Sequence, residues 1–248
     1  MRPIAASSVA SLMMKDEMEA ALAQDYAAKG GDYYEHPRPE MLRFIPRPCR
    51  RLLDVGCGNG GFAAGVKKKL NCEAWGVEPN PESARLAMPR LDRVIAGQFG
   101  GGLELPRNYF DCIVFNDVLE HMLDPGAAIA HARSLLGAGG VVVASIPNVG
   151  HFGNVWQLVM MGQWEYKERG ILDRTHLRFF TRKSIVHMFE SEKYEVQSIT
   201  GINAFGGMDC SSALWLLYRV LALWPAPGIH DMRYVQFAIV ARPQPALT

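Results

Sequence analysis

Apolar positions recur along the chain in two periods. Short, largely apolar runs bounded by Gly, Pro or Asn alternate with stretches in which apolar residues return every three or four positions. The first kind predicts buried strands and the second amphipathic helices. Strands are expected at Arg51–Val55, Glu73–Val77, Arg93–Ala96, Phe110–Phe115 and Val141–Ile146, with two later ones at Tyr194–Ile199 and Tyr234–Val240. Helices are expected at Phe62–Leu70, Pro81–Ala87, Pro125–Leu136, Phe152–Met161 and Thr181–Glu190. Pro81 and Pro125 occupy a favoured first-turn position, Asp124 offers a cap, and Gly137 can close the third helix. Strands apolar on both faces, alternating with helices, imply a parallel sheet covered on both sides.

Outside this alternation, residues 9–29 read as an amphipathic helix and Pro37, Pro39, Pro46 and Pro48 as an irregular linker. Residues 1–45 are expected to form an N-terminal helical lid, and residues 46–248 the main domain. The last two strands are separated by an insertion at 201–232, too long for a hairpin and strongly apolar from Leu214 to Trp224. Two roles are open for it: packing beneath the last strand or in a homodimer contact, or contact with a membrane surface or lipid-linked substrate.

A chain of 248 residues with 49% hydrophobic and 21% charged residues suits one α/β domain with decorations. Its net charge of +1 argues against nucleic-acid binding. Five cysteines, with no CxxC or Cys/His ligand spacing, give no support to a metal site and fit a reduced, cytoplasmic protein. No secretory signal and no membrane-spanning run is apparent.

The strongest motif is Leu52-Leu53-Asp54-Val55-Gly56-Cys57-Gly58-Asn59-Gly60-Gly61, where strand, glycine turn and helix follow in order. Glycines there let the backbone turn sharply and approach a ligand. Glu78 ends the next strand, 20 residues past Gly58, the spacing of a carboxylate that grips a ribose diol. Gly56, Gly58 and Gly61 also satisfy GxGxxG, so a nicotinamide dinucleotide must be considered. Asp54 argues against it: a carboxylate at the mouth of the turn repels a pyrophosphate and attracts the cation of S-adenosylmethionine. Asp54 can equally tie down the loop by bonding backbone N–H groups, and both roles can hold together.

The run Asp54–Gly60 resembles the nucleotide-binding motif of the class I S-adenosylmethionine-dependent methyltransferases. The likeness continues through Gly76–Pro79, Phe115–His121, Leu136–Gly140 and Ile146–Asn148. It implies a Rossmann-like three-layer α/β sandwich with a seven-stranded, mostly parallel sheet whose last strand is antiparallel. It also implies that Glu78 binds the ribose hydroxyls, that Gly56, Cys57 and Gly58 contact the methionine part, and that Asn116 helps hold its amine or carboxylate. Where many relatives carry an Asp after the third strand, this chain has Gln98, which could accept from the adenine amine, and Phe99, which could stack on it.

Ile171–Thr181 carries an Asp-x-x-His-x-Arg-Phe-Phe-Thr run similar to a branch of methyltransferases of sugar and polysaccharide biosynthesis. Residues 165–183 hold six basic and three acidic residues, which suits a phosphorylated or acidic sugar. His176 is the first candidate base, oriented by Asp173, with His121 and His151 behind it. For each histidine a structural role is the alternative. Arg174, Arg178 and His151 are candidate substrate contacts, with surface charge the alternative for the arginines. Tyr34, with Tyr33, can close a lid over the cofactor or staple the N-terminal helix to the sheet. The reading is a methyltransferase using S-adenosylmethionine on a hydroxyl of a sugar or glycan precursor. Its rivals are an NAD(P)-dependent oxidoreductase and a non-catalytic cofactor-binding scaffold of a glycan-assembly complex.

Overall fold

The computed structural model describes residues 37–204, 218, 220, 223 and 226–245. Seven strands, β1 (Arg51–Val55), β2 (Glu73–Glu78), β3 (Arg93–Ala96), β4 (Phe110–Asn116), β5 (Leu136–Pro147), β6 (Tyr194–Ala204) and β7 (Tyr234–Pro243), form one sheet. Their order is β3-β2-β1-β4-β5-β7-β6. Pairs from β3 across to β5 are parallel, and β7 runs antiparallel to both of its neighbours. This is the mostly parallel, seven-stranded architecture with an antiparallel last strand that the sequence implies.

Helices α1 (Gly61–Leu70), α2 (Pro81–Ala87), α3 (Pro125–Leu135), α4 (Phe152–Met161), α5 (Arg182–Ser191) and α6 (Pro227–Asp231) complete the described layers. Alternation along each central strand builds two cores. Leu53, Val55, Ile113 and Phe115 face one layer with Ile129, Phe189 and Tyr194, while Leu52, Cys112 and Val114 face Phe62 and Val66 on the other. Each such fully buried side chain contributes about 1.5–3 kcal/mol of transfer free energy, the principal driving force for this sandwich. The starts of α2 and α3 carry side-chain caps, one of them the Asp124 cap that the sequence offers. Asn80 Oδ1 accepts from the N–H groups of Glu82 and Ser83 at 3.0 Å each, and Asp124 Oδ1 from Ala127 N–H at 2.8 Å.

Three stretches differ from the sequence reading. The proline-rich linker contains a 3-10 helix, Pro39–Phe44, because Met41 inserts completely into the second core. β5 begins at Leu136 rather than Val141: Leu136 pairs with Phe110, and a register shift between Phe110 and Cys112 absorbs the extra residues. β6 continues to Ala204, paired with Tyr234, so the first residues of the expected insertion at 201–232 are strand. The helix expected at 9–29, Tyr33, Tyr34 and most of 205–225 lie outside the described residues. Among the described residues no helix is long and apolar enough to cross a membrane.

Sequential strands step from β1 outward to β3, and the chain then returns to place β4 on the other side of β1. The carboxyl ends of β1 and β4 therefore flank the switch in strand direction, where open α/β sheets bind ligands. Val55 and Phe115 are register partners, which sets Gly56 beside Asn116 at that edge.

Candidate active site

A cavity of about 850 Å³ opens at this edge. The glycine turn forms one wall. Gly56 and Cys57 donate their N–H groups to Val77 O at 2.8 and 3.1 Å, which keeps the turn against β2. Gly56 has φ +69°, and a Cβ there would meet Val118 Cγ2 at 2.6 Å, so only glycine lets the turn pass so near the segment after β4.

Glu78 closes the adjoining wall. Its Oε2 accepts from Gly58 N–H at 2.8 Å and its Oε1 from Asn80 N–H at 2.9 Å. One carboxylate thus ties the first glycine turn to the start of α2 and still faces the cavity. Burial raises its pKa, and the two N–H donors oppose that shift.

Asp54 is 2% exposed, and its Oδ1 has no hydrogen-bond partner. Burial, reinforced by the charge of Glu78, pushes its carboxyl up to about 8. A buried, unsatisfied carboxyl beside a second carboxylate favours a cation or a donor-rich group from the ligand. Asn116, at the end of β4, has neither amide atom satisfied. Asp54, Glu78 and Asn116 all line the cavity with Gly56, Cys57 and Gly58. These unsatisfied atoms and the glycine cradle fit the methionine amine, carboxylate and ribose of an adenosyl methyl donor.

Gln98 and Phe99 border the same cavity. Gln98 is exposed, while Phe99 packs edge-on to Phe115 and tilted against His131, at centroid distances of 5.5 and 5.2 Å. His131 was not apparent as a site residue in the sequence; it is carried there by α3, 32 residues beyond Phe99.

A further part of the cavity wall is polar and buried. Glu120 is 1% exposed, and neither carboxylate oxygen has a hydrogen-bond partner. Its carboxyl is pushed up to about 8, mostly by burial, with Arg38 lowering it and Asp173 raising it. His176 Nε2 lies 4.0 Å from Glu120 Oε1. His176 Nδ1 lies 2.9 Å from the carbonyl of Ile171 and donates its hydrogen to it. One donor atom each from Glu120, His121 and His176 lies within 4.8 Å of the others, near enough to grip one bound group. The main chain holds this arrangement, since Leu177 and Arg178 donate N–H groups to Glu120 O at 2.9 and 3.0 Å.

Asp173 holds the loop that carries His176. Its Oδ1 accepts from Thr175 N–H at 2.9 Å and Thr175 Oγ1 at 2.7 Å, and Thr175 in turn meets His121 Nδ1. The carboxylate therefore sets the loop that carries His176 and His121 together. Both Asp173 and His176 line the cavity.

Arg38 is the residue that sequence reasoning missed most completely. From the start of the 3-10 helix it reaches Asp117, Ser145 Oγ at 3.1 Å and Gln236 Oε1 at 3.2 Å, and its Nε donates to Glu40 at 2.8 Å. Asp117 also accepts from Ser145 Oγ at 2.9 Å and Gln236 Nε2 at 2.8 Å. Burial lowers the Arg38 pKa against the pull of Glu40.

Arg174, Arg178 and His151 are not among the cavity-lining residues. Arg174 pairs with Glu168 at 3.2 Å on the surface, and Arg178 donates to the carbonyls of Leu177 and Leu123. His151 caps α4, accepting at Nδ1 from Gly153 N–H at 3.3 Å. Tyr34 lies outside the described residues.

Comparison with known proteins agrees with this geometry. Ubiquinone biosynthesis O-methyltransferases are similar in sequence: that of Xanthomonas campestris pv. campestris is 26% identical over 167 residues, 64% of this chain and 68% of that protein. Ajmaline N-methyltransferase of Rauvolfia serpentina is 27% identical over 101 residues, covering 38% of this chain and 35% of that protein. Matches to an uncharacterised methyltransferase of Schizosaccharomyces pombe and to a Cereibacter sphaeroides ubiquinone biosynthesis O-methyltransferase span 41% and 44% of those proteins. This chain therefore matches well under half the length of several of its curated relatives. In structure, Burkholderia thailandensis 1,6-didemethyltoxoflavin-N1-methyltransferase, solved with S-adenosylhomocysteine, superposes with a TM-score of 0.58 at 15% identity, covering 99% of this chain and 93% of that one. A Haloferax volcanii methyltransferase solved with its Trm112 activator gives a TM-score of 0.61 at 16% identity, covering 94% and 98%. These two likenesses establish the fold. Residues 23–199 match the methyltransferase domain family, and the chain belongs to that family, as a class I methyltransferase with S-adenosylmethionine as its cofactor.

Proposed function

We propose that this chain methylates a hydroxyl of a small polar acceptor, a sugar or glycan precursor, by direct displacement at S-adenosylmethionine. The observation that carries the reading is one cavity lined both by unsatisfied Asp54 and Asn116 and by Glu120 beside His176. S-adenosylmethionine supplies a methyl group on positively charged sulfur. Asp54 and Asn116 hold its amino-acid end, Glu78 its ribose, and Gln98 and Phe99 border its adenine. Arg38 anchors the segment before β1 to the sheet through Ser145 and Gln236.

The acceptor enters from the loop side. Alignment of its oxygen behind the methyl carbon supplies most of the acceleration, and His176 receives its proton at Nε2. Asp173, through Thr175, keeps the loop in place. The sugar class is supported by the run Asp173–Thr181 and by the basic surplus at 165–183. Among the similar proteins are a ubiquinone biosynthesis O-methyltransferase and an ajmaline N-methyltransferase.

The test is methyl transfer from labelled S-adenosylmethionine to a panel of sugar and phenolic hydroxyls. His176→Ala is expected to lower turnover far more than S-adenosylhomocysteine affinity. An unchanged rate removes His176 from the mechanism.

A further inference from the structure

Ten large hydrophobic side chains are exposed among the described residues, and six of them lie between Leu158 and Tyr166. Val159, Met160 and Met161, at 69%, 58% and 61% exposure, end α4, and Trp164 and Tyr166 follow. Every residue from Leu158 to Gly170 is exposed. Scattered exposed apolar residues are ordinary, whereas a concentrated group marks a contact surface.

The stretch is built into the fold. Gly162, with φ +62°, closes α4 by donating its N–H to Gln157 O. Trp164 and Tyr166 pack on Phe179, at centroid distances of 5.2 and 6.2 Å. Lys167 N–H donates to Leu172 O at 2.8 Å and Arg174 N–H to Lys167 O at 2.9 Å, which ties the stretch to the loop that carries Asp173 and His176. Arg169, Gly170 and Ile171 line the cavity, so the apolar stretch runs directly into the cavity wall. Two more exposed apolar residues, Val220 and Leu223, belong to a segment that meets the same helix, since Tyr218 packs edge-on against Phe152 at 5.6 Å.

The chemistry of the stretch decides what covers it. Aliphatic side chains stand beside a Trp and a Tyr, residue types that settle at the boundary between acyl chains and headgroups. The exposed charges that follow are Glu165, Lys167, Glu168, Arg169, Arg174 and Arg178, four cations against two carboxylates, with Asp173 buried. Excess positive charge beside an apolar face suits an anionic surface. A second copy set face to face would bring like charge against like. We propose that residues 158–178 form a docking surface for a membrane of anionic phospholipid, with Leu158–Met161, Trp164 and Tyr166 entering the headgroup boundary and Lys167 and Arg169 meeting the lipid phosphates. The contact sets the cavity wall beside the lipid. It goes beyond the proposed function and requires none of its acceptor chemistry.

Flotation of the full chain with vesicles tests this, at low salt and without cofactor. The probes are vesicles of phosphatidylcholine alone and of phosphatidylcholine mixed with phosphatidylglycerol. The chain is expected to float with the anionic vesicles and to bind the neutral ones about tenfold more weakly, because each cation at an anionic surface contributes about fivefold. The paired change Val159→Glu and Met160→Glu, at exposed positions, should abolish flotation while Tm and S-adenosylhomocysteine affinity stay unchanged. Lys167→Glu should weaken binding to the anionic vesicles about tenfold or more. Trp164 gives a readout on the native chain: a blue shift in emission on adding anionic vesicles, lost in Trp164→Phe. No recovery with anionic vesicles, equal recovery with both compositions, or flotation that survives the paired change yet is lost in Leu223→Glu would each overturn the proposal. So would a concentration-dependent dimer in sedimentation without lipid that the paired change converts to monomer, because a second copy then covers this face.

Discussion

Glu78→Gln tests the nucleotide wall most sharply, because one carboxylate there carries two duties. In the native chain Oε1 and Oε2 accept from Asn80 N–H and Gly58 N–H at 2.9 and 2.8 Å. Glutamine keeps one acceptor oxygen and turns an NH₂ group toward the other donor, so one buried N–H loses its partner. A hydrogen bond to a charged acceptor contributes about 1.5–3 kcal/mol, and the bond that remains is weakened to a neutral pair. Against this, the variant removes a buried charge whose raised pKa reports a desolvation cost. The net destabilisation should be about 1–3 kcal/mol, a fall in Tm of several degrees for a domain of this size. The same change removes an acceptor that lines the cavity and that the proposed function sets against the ribose, so S-adenosylhomocysteine affinity should drop about tenfold or more. Urea denaturation gives the first number and calorimetry the second. A variant that melts lower yet binds S-adenosylhomocysteine with undiminished affinity would detach Glu78 from the nucleotide and leave it a purely structural link.

Three further outcomes follow from the same geometry. Gly56→Ala should destabilise by about 2–4 kcal/mol in urea, from a left-handed backbone and a Cβ pressed 2.6 Å from Val118 Cγ2, whereas Gly65→Ala, at an exposed position of α1 with nothing within 4 Å, should be neutral or stabilise. Folded Asp54 keeps its proton up to about 8 while the unfolded residue loses it near 3.8, so the folded chain binds more protons between those values. Stability without ligand should therefore fall as pH rises through that window, and Asp54→Asn should flatten the decline in a series of melts; an unchanged slope would contradict the burial of that carboxyl. Arg174→Ala, on an exposed pair with Glu168, should change acceptor affinity less than about threefold, and a larger loss in the transfer assay would bring that side chain into the site.

The sheet was legible because its signals are local. Strands β1, β4 and β5 are largely apolar on both faces, and Asp124 caps its helix from one position before it. The glycine turn and Glu78 were legible too, as their spacing follows from the geometry of a strand–turn–helix unit. The rest depends on contacts between distant segments. Arg38 sits in a proline-rich stretch with no periodicity, and only the fold brings it to Asp117, Ser145 and Gln236, up to 198 residues away. Glu120 was visible within a motif, but its lack of partners arises from burial by a loop more than fifty residues later. His151 and Arg178 carried the residue types of a substrate site, yet a helix cap and backbone carbonyls claim them, and nothing in a single sequence separates those fates. The end of β6 was missed because Gly201–Ala204 pair with β7 residues that follow a long apolar insertion.

The central claim is that the cavity at the carboxyl ends of β1 and β4 takes an adenosyl sulfur compound through Asp54, Glu78 and Asn116, in preference to a dinucleotide. Paired calorimetric titrations of the full chain with S-adenosylhomocysteine and with NAD⁺ measure this directly. The account predicts saturable one-to-one binding of the first, weakened in Asp54→Asn, with no heat of binding from the second. Tight NAD⁺ binding with S-adenosylhomocysteine inert would contradict it.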